Sequence, residues 1–207
     1  MLEFAGVYKF NLKDINFKID KGDFLIIRGD GGAGKTTIVR LACGELAPDK
    51  GTIKVFGHLF GTGGAKQIPT SIKKKIGIIP QGGSLLENKN VFTNLAVPLK
   101  FLGKYDRRAV ISVLNKLGLH KYQDRNINEL PGSYRQLVKI ALAMLKTPLL
   151  LLADEPLQNL DPEQSNIVLS TLEDMNISGT TVLFTASQTS SKYFSREIYI
   201  ADGKIKS

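Results

Sequence analysis

The sequence predicts an α/β protein built on a parallel sheet, with a helical segment set between two strand-rich halves. Residues 24–28 (FLIIR), 149–152 (LLLL) and 180–185 (TTVLFT) are continuous apolar runs, the pattern of strands buried on both faces. Between about residues 90 and 147 the apolar residues recur instead at helical spacing. A glycine-rich turn also follows the first run directly and opens a helical pattern.

Taken in order, FLIIR is bounded by Gly22 and Gly29 and reads as a buried strand entering a turn. Residues 35–46, KTTIVRLACGEL, carry Ile38, Leu41, Ala42 and Leu46 at helix-like spacing. Gly51 to Phe56 reads as a short strand and Ile76 to Ile79 as another. Val110, Val113, Leu114 and Leu117 repeat at helical spacing, as do Leu137, Ile140, Ala141 and Leu145. The terminal IYIADGKIKS predicts a hairpin turning near Asp202-Gly203.

A length of 207 residues allows one domain of good size, or a domain with a small subdomain. The 43% hydrophobic and 23% charged composition is that of an ordinary soluble globular protein. No apolar run reaches about 18 residues, so no transmembrane helix is expected. MLEFAGVYKF lacks the charged and apolar regions of a signal peptide. Cys43, the only cysteine, excludes an internal disulfide, fits a reducing cytosol, and reads as a small buried hydrophobe within LACGEL. The net charge of +9 suits nucleic acid, an anionic membrane surface or an acidic partner, and does not choose among them. Its densest run, Lys73, Lys74 and Lys75, has no interleaved aromatics and reads as a solvated face.

The chemistry lies in two motifs. Residues 29–37, GDGGAGKTT, fit G-x-x-x-x-G-K-[ST], with Gly29, Gly34, Lys35 and Thr36 at the fixed positions. Glycines let the backbone bend so that several N–H groups of Asp30, Gly31, Gly32, Ala33 and Thr37 can face one phosphate chain. The helix that opens there adds its positive end. Lys35 is placed to reach the β- and γ-phosphates, and the Thr36 hydroxyl to bind Mg²⁺. In LLLLADEP a buried strand ends in two carboxylates. Asp154 is placed to hold Mg²⁺, directly or through water. Glu155, pointing elsewhere, is placed to polarise an attacking water.

In these motifs and their order, the chain resembles the nucleotide-binding domain of the ATP-binding-cassette (ABC) superfamily over nearly its whole length. The resemblance implies a P-loop NTPase (RecA-like) core with an N-terminal antiparallel β-subdomain. It also implies a helical subdomain inserted at about residues 82–147, all within one domain spanning 1–207. Gln81, in IIPQ, resembles the Q-loop glutamine, which contacts Mg²⁺ and water and faces a transmembrane partner. LPGSYRQLVKIALAMLKTP lies where the family carries LSGGQ-R-Q and a helix. There Leu130, Gly132, Arg135 and Gln136 match, while Pro131, Ser133 and Tyr134 depart. Asp161, in QNLD, resembles the D-loop aspartate, and Tyr8 or Phe10 is the candidate ring to stack on adenine. The family implies two subunits sandwiching two ATP molecules, with the signature residues, here Gly132 and Ser133, capping the nucleotide of the other subunit.

Two longer stretches, IPTSIKKKIGIIPQGGSLLENKNVFTNLAVPL and LLADEPLQNLD, are similar to one branch of the superfamily. It holds the cell-division ATPase FtsE, the lipoprotein-release ATPase LolD and the macrolide-exporter ATPase MacB. The branch implies a cytosolic subunit seated at the inner face of the cell membrane through an integral membrane partner, FtsX-like or another ABC permease. The alternative is the ATPase of a solute, lipoprotein or drug transporter. Val91, Phe92, Leu95 and Val97 are candidates for the groove that receives the partner, or for plain subdomain core.

Two departures bear on turnover. Pro131 removes the signature hydroxyl and one N–H donor, and Ser133 offers a hydroxyl in a different register. TVLFTASQTS resembles the strand that ends in the family's switch histidine, with Ser187 at that position; the only histidines are His58 and His120. A serine can bond a phosphate oxygen but carries no charge. Strong Mg-ATP binding with slow hydrolysis is therefore expected of a homodimer, or a heterodimer whose partner supplies a full LSGGQ. A pure dimerisation switch would not need the retained Glu155. ABC ATPases that act on nucleic acid usually carry insertions or added domains with no counterpart here, so no nucleic acid is expected.

Overall fold

A computed structural model of the chain describes residues 1–65, 67–83, 85–187 and 195–206. It opens with the hairpin β1 (Leu2–Lys9) and β2 (Leu12–Ile19). Next come β3 (Phe24–Arg28), α1 (Lys35–Ala42), β4 (Lys50–Val55), β5 (His58–Gly61), the short α2 (Thr70–Lys73) and β6 (Ile76–Ile79). Three helices then follow before the next strand: α3 (Val91–Phe101), α4 (Arg107–Lys116) and α5 (Gly132–Leu145). The chain proceeds through β7 (Leu150–Asp154), α6 (Pro162–Ile177), β8 (Thr181–Ala186), β9 (Arg196–Ala201) and β10 (Lys204–Lys206).

Two sheets result. An antiparallel sheet has the order β2-β1-β4-β5. A larger sheet has the order β10-β9-β3-β8-β7-β6, parallel from β9 to β6, with β10 antiparallel at the edge. The apolar runs of the central strands divide by residue parity. Phe24, Ile26, Leu151, Ala153, Val182 and Phe184 pack with α3, α4, α5 and α6 on one face. Leu25, Ile27, Leu150, Leu152 and Leu183 pack with α1 and the antiparallel sheet on the other. A strand alternates its side chains across the sheet, so apolar residues at every position serve two cores at once.

The expected strands all form, and the boundaries differ for local reasons. The first helix stops at Ala42, four residues before Leu46, because the Glu45 and Leu46 N–H groups both turn back to Arg40 O. The apolar spacing continued past a helix end that periodicity cannot see. Val91 and Leu95 are fully buried in the core, the second of the two readings given to that cluster; Phe92 and Val97 are partly exposed. None of the described helices is long and apolar enough to cross a membrane.

The terminal hairpin turns at Asp202 and Gly203, both with positive φ. Lys13 N–H donates to Gly203 O at 2.8 Å, and a Cβ on Gly203 would collide with Asn11 O. A Cβ on Gly29 would likewise collide with Ile200 O. Glycine at these two positions lets β9 and β10 lie directly against the β1–β2 turn and the loop after β3.

Candidate functional site

Parallel pairing puts the ends of β3, β8 and β7 side by side, and the candidate residues sit at those carboxyl ends. Residues 29–34 leave β3 there, and α1 starts at Lys35. The Lys35 side chain is only 5% exposed. Its ammonium donates to Gly29 O at 2.6 Å, to Asp30 O at 3.0 Å and to Ser187 Oγ at 3.3 Å, and lies 3.0 Å from Glu155 Oε1. Ser187 Oγ in turn donates to Glu155 Oε1 at 2.9 Å. Lys35, Glu155 and Ser187 thus form a closed triangle at the mouth of the loop. Within the loop Gly31 and Gly32 are exposed, Ala33 is buried with its N–H on Asp30 O, and Thr37 lies partly buried in α1.

The two acids diverge. Asp154 is 2% exposed, and its carboxylate accepts from Thr185 Oγ1 at 2.8 Å and from the Thr36 hydroxyl. Burial pushes its pKa up, against the pull of the two threonine bonds and the Lys35 charge. Glu155 takes a left-handed φ of 44°, and its N–H donates to Thr185 Oγ1 at 2.9 Å. That bend turns its side chain away from Asp154 and toward Lys35. A non-glycine residue held in this region is strained, and such residues cluster at functional sites.

Thr36 and Asp154 meet, while Gln81 does not join them. Its amide donates to Gln158 Oε1 at 3.3 Å, across a cleft of about 530 Å³ that Gly132, Gln136 and Glu155 also line. Among the described residues no group of three His, Cys, Asp or Glu could hold a metal. A hydroxyl and one carboxylate still suit Mg²⁺, which keeps waters and substrate phosphates as its other ligands. The buried, cation-hungry Asp154 carboxylate fits that ion.

The signature segment forms the start of α5, with Pro131 in the N-cap position and no capping side chain. The N–H groups of Gly132, Ser133 and Tyr134 are the open donors of that helix end. Tyr134 packs on Tyr122, ring centroids 4.6 Å apart, and a hydrogen bond between their hydroxyls lowers the Tyr122 pKa and raises that of Tyr134. Gln136 is buried and donates to Pro156 O at 3.2 Å, bracing the turn after Glu155. Asp161 caps α6: Oδ1 accepts from Gln164 N–H at 2.7 Å in a capping box.

Phe10 is 70% exposed and Tyr8 38%. Phe10 sits at the β1–β2 turn, and the next residue, Asn11, donates from Nδ2 to Gly32 O at 2.7 Å. Tyr8 lies within β1, paired with Lys50, whose ammonium stands 5.8 Å from its ring. Sequence reading missed Asn11 and Thr185. Nothing in the sequence marks Asn11. Thr185 closes the apolar run TTVLFT, but its place beside Asp154 depends on the β7–β8 register, which the sequence does not show.

The family model described as ABC transporter matches residues 12–158. The chain is 40% identical over 175 residues to the cell division ATP-binding protein FtsE of Mycobacterium tuberculosis, covering 83% of this chain and 76% of that protein. It is 32% identical over 200 residues to the bacitracin export ATP-binding protein BceA of Halalkalibacterium halodurans, covering 94% and 79%. The fold superposes on a dimeric bacterial ABC transporter cassette with a TM-score of 0.88 at 25% identity, over 100% of this chain and 97% of that one.

Proposed function

The chain belongs to the ABC transporter family of ATP-binding proteins, and from that premise we propose that it is the FtsE-like subunit of a membrane complex in cell division. It works as a dimer of ATP-binding subunits at the cytoplasmic face of an FtsX-like or other permease. The FtsE relative supports the cell-division reading. The BceA relative supports an exporter as the second reading.

One observation carries the mechanism: the triangle of Lys35, Glu155 and Ser187 beside the buried Thr36–Asp154 pair. Loop N–H groups and the α1 terminus receive the phosphates, and the exposed Phe10 ring stacks on adenine. Phe10 is preferred to Tyr8 because its turn is tied to the loop through Asn11. Thr36 and Asp154 hold Mg²⁺, which supplies charge neutralisation on the phosphates. An arriving γ-phosphate competes for Lys35, which releases Glu155 from its ion pair. Glu155 then accepts a proton from water, with Ser187 Oγ steering its carboxylate. Ser187 is neutral, and Pro131 leaves the signature helix of the second subunit without its capping hydroxyl, so hydrolysis is slow.

The test is Mg-ATP turnover by the purified chain beside Glu155→Gln and beside a relative with the full signature. Slow turnover, cut by about 10² or more in Glu155→Gln with ATP binding retained, is expected. No turnover in either form would make the chain a nucleotide-gated switch or one half of a heterodimer. Turnover equal to that of the full-signature relative would refute the slow cycle.

A further inference from the structure

The +9 charge is concentrated. Between residues 82 and 147 there are eleven Lys and Arg against four Asp and Glu, so seven of the nine net charges lie there. Within this stretch, KFLGKYDRR (100–108) joins α3 to α4. Phe101 is 88% exposed and Leu102 38%, the former being the most exposed large apolar side chain among the described residues. Lys100, Lys104, Arg107 and Arg108 are exposed around them. None of the four forms an ion pair among the described residues. They are propped in other ways. The Lys100 ammonium lies 5.1 Å from the Tyr105 ring and the Arg107 guanidinium 5.2 Å from Phe92, while Lys104 donates to Lys146 O. The one acid of the segment, Asp106, is committed to capping α4 through the Arg108 N–H. The cleft lies by the start of α3, where Ile127 N–H bonds Lys89 O. Phe101 is at the other end, about 15 Å along the helix axis from Val91.

We propose that the α3–α4 corner is a second membrane contact, made with anionic lipid rather than with protein, in which Phe101 and Leu102 enter the interface while Lys100, Lys104, Arg107 and Arg108 pair with headgroups. An unpaired cation cluster is attracted to an anionic surface, and an exposed aromatic at its centre gains by leaving water for the acyl boundary. Duplex nucleic acid would satisfy the cations through its phosphates but would leave the aliphatic Leu102 tip without an apolar partner. The contact is independent of the ATPase cycle and would seat the subunit against the leaflet beside its permease.

The experiment is co-sedimentation of the whole chain with protein-free vesicles of phosphatidylcholine, with and without phosphatidylglycerol. Binding only to the anionic vesicles is expected, weakened by salt. Lys100→Gln/Arg108→Gln should weaken it about 10- to 30-fold and Phe101→Ser roughly tenfold. Lys73→Gln/Lys74→Gln, with the same charge change, should leave it within about twofold. ATP binding reports that each variant is folded. Absence of binding, equal loss in both double variants, or indifference to Phe101→Ser would overturn the proposal. Preferential capture by a short DNA duplex with the same residue dependence would overturn it too and make nucleic acid the occupant.

Discussion

Asp154 and Glu155 are neighbours with opposite surroundings. Asp154 is a carboxylate kept from water between two threonine hydroxyls, while Glu155 is partly exposed and ion-paired. Burying a carboxylate without a full countercharge costs stability, so the nucleotide-free fold carries Asp154 at a loss. Its pKa is raised by the fold, so its contribution to stability is full below the unfolded value and is lost as pH rises through the folded one. Asp154→Asn keeps an acceptor for both threonines and removes the charge. It should stabilise the nucleotide-free protein by about 1 kcal/mol, a rise of roughly 2–4 °C in the thermal midpoint, while hydrolysis is lost. A lower midpoint in calorimetry would mean that the carboxylate is adequately solvated as it stands. Lys35, Thr36, Asp154 and Glu155 were legible because each sits at a fixed offset in a short motif. Asn11 was not, since its bond to Gly32 O joins segments 21 residues apart.

At the scale of elements, helix ends decide what is available. Asp161 resembles the D-loop aspartate, and its carboxylate closes the capping box of α6. Asp161→Ala should cost about 1 kcal/mol, whereas Asp161→Asn, also a good cap, should restore the thermal midpoint. Any turnover deficit that persists in the Asn form then reports on charge, and equal midpoints for the Ala form and the parent would discount the cap. The start of α5 is the converse case. It has no capping side chain, so its first N–H groups remain free to receive an anion even though Pro131 replaces the usual hydroxyl. The existence of α1, α4 and α5 was readable from apolar spacing, while α6 was not read at all. The end of α1 was not, because its last turn is fixed by backbone bonds to Arg40 O.

For the whole molecule, the start of α5 shares a cleft with Glu155 but has no hydrogen bond or ion pair to residues 29–37 among the described residues, which leaves its free N–H groups for a second subunit's nucleotide in the dimer proposed above. The Glu155→Gln form should therefore run near twice the monomer mass by light scattering with Mg-ATP and as a monomer without it. A monomer in both conditions would point to a different chain as the natural partner. The sheet order was only partly legible, since apolar runs reveal buried strands but not their neighbours. The least visible pairing is that of β9 with β3, which seats the terminal hairpin against the phosphate loop at Gly29 and against the β1–β2 turn at Gly203. That pairing sets an order of assembly during synthesis. A nascent chain still on the ribosome and not yet past residue 200 already has Lys35, Asp154 and Glu155. It lacks the strand that packs on the loop at Gly29, so the loop is expected to take its final shape only once the hairpin has emerged.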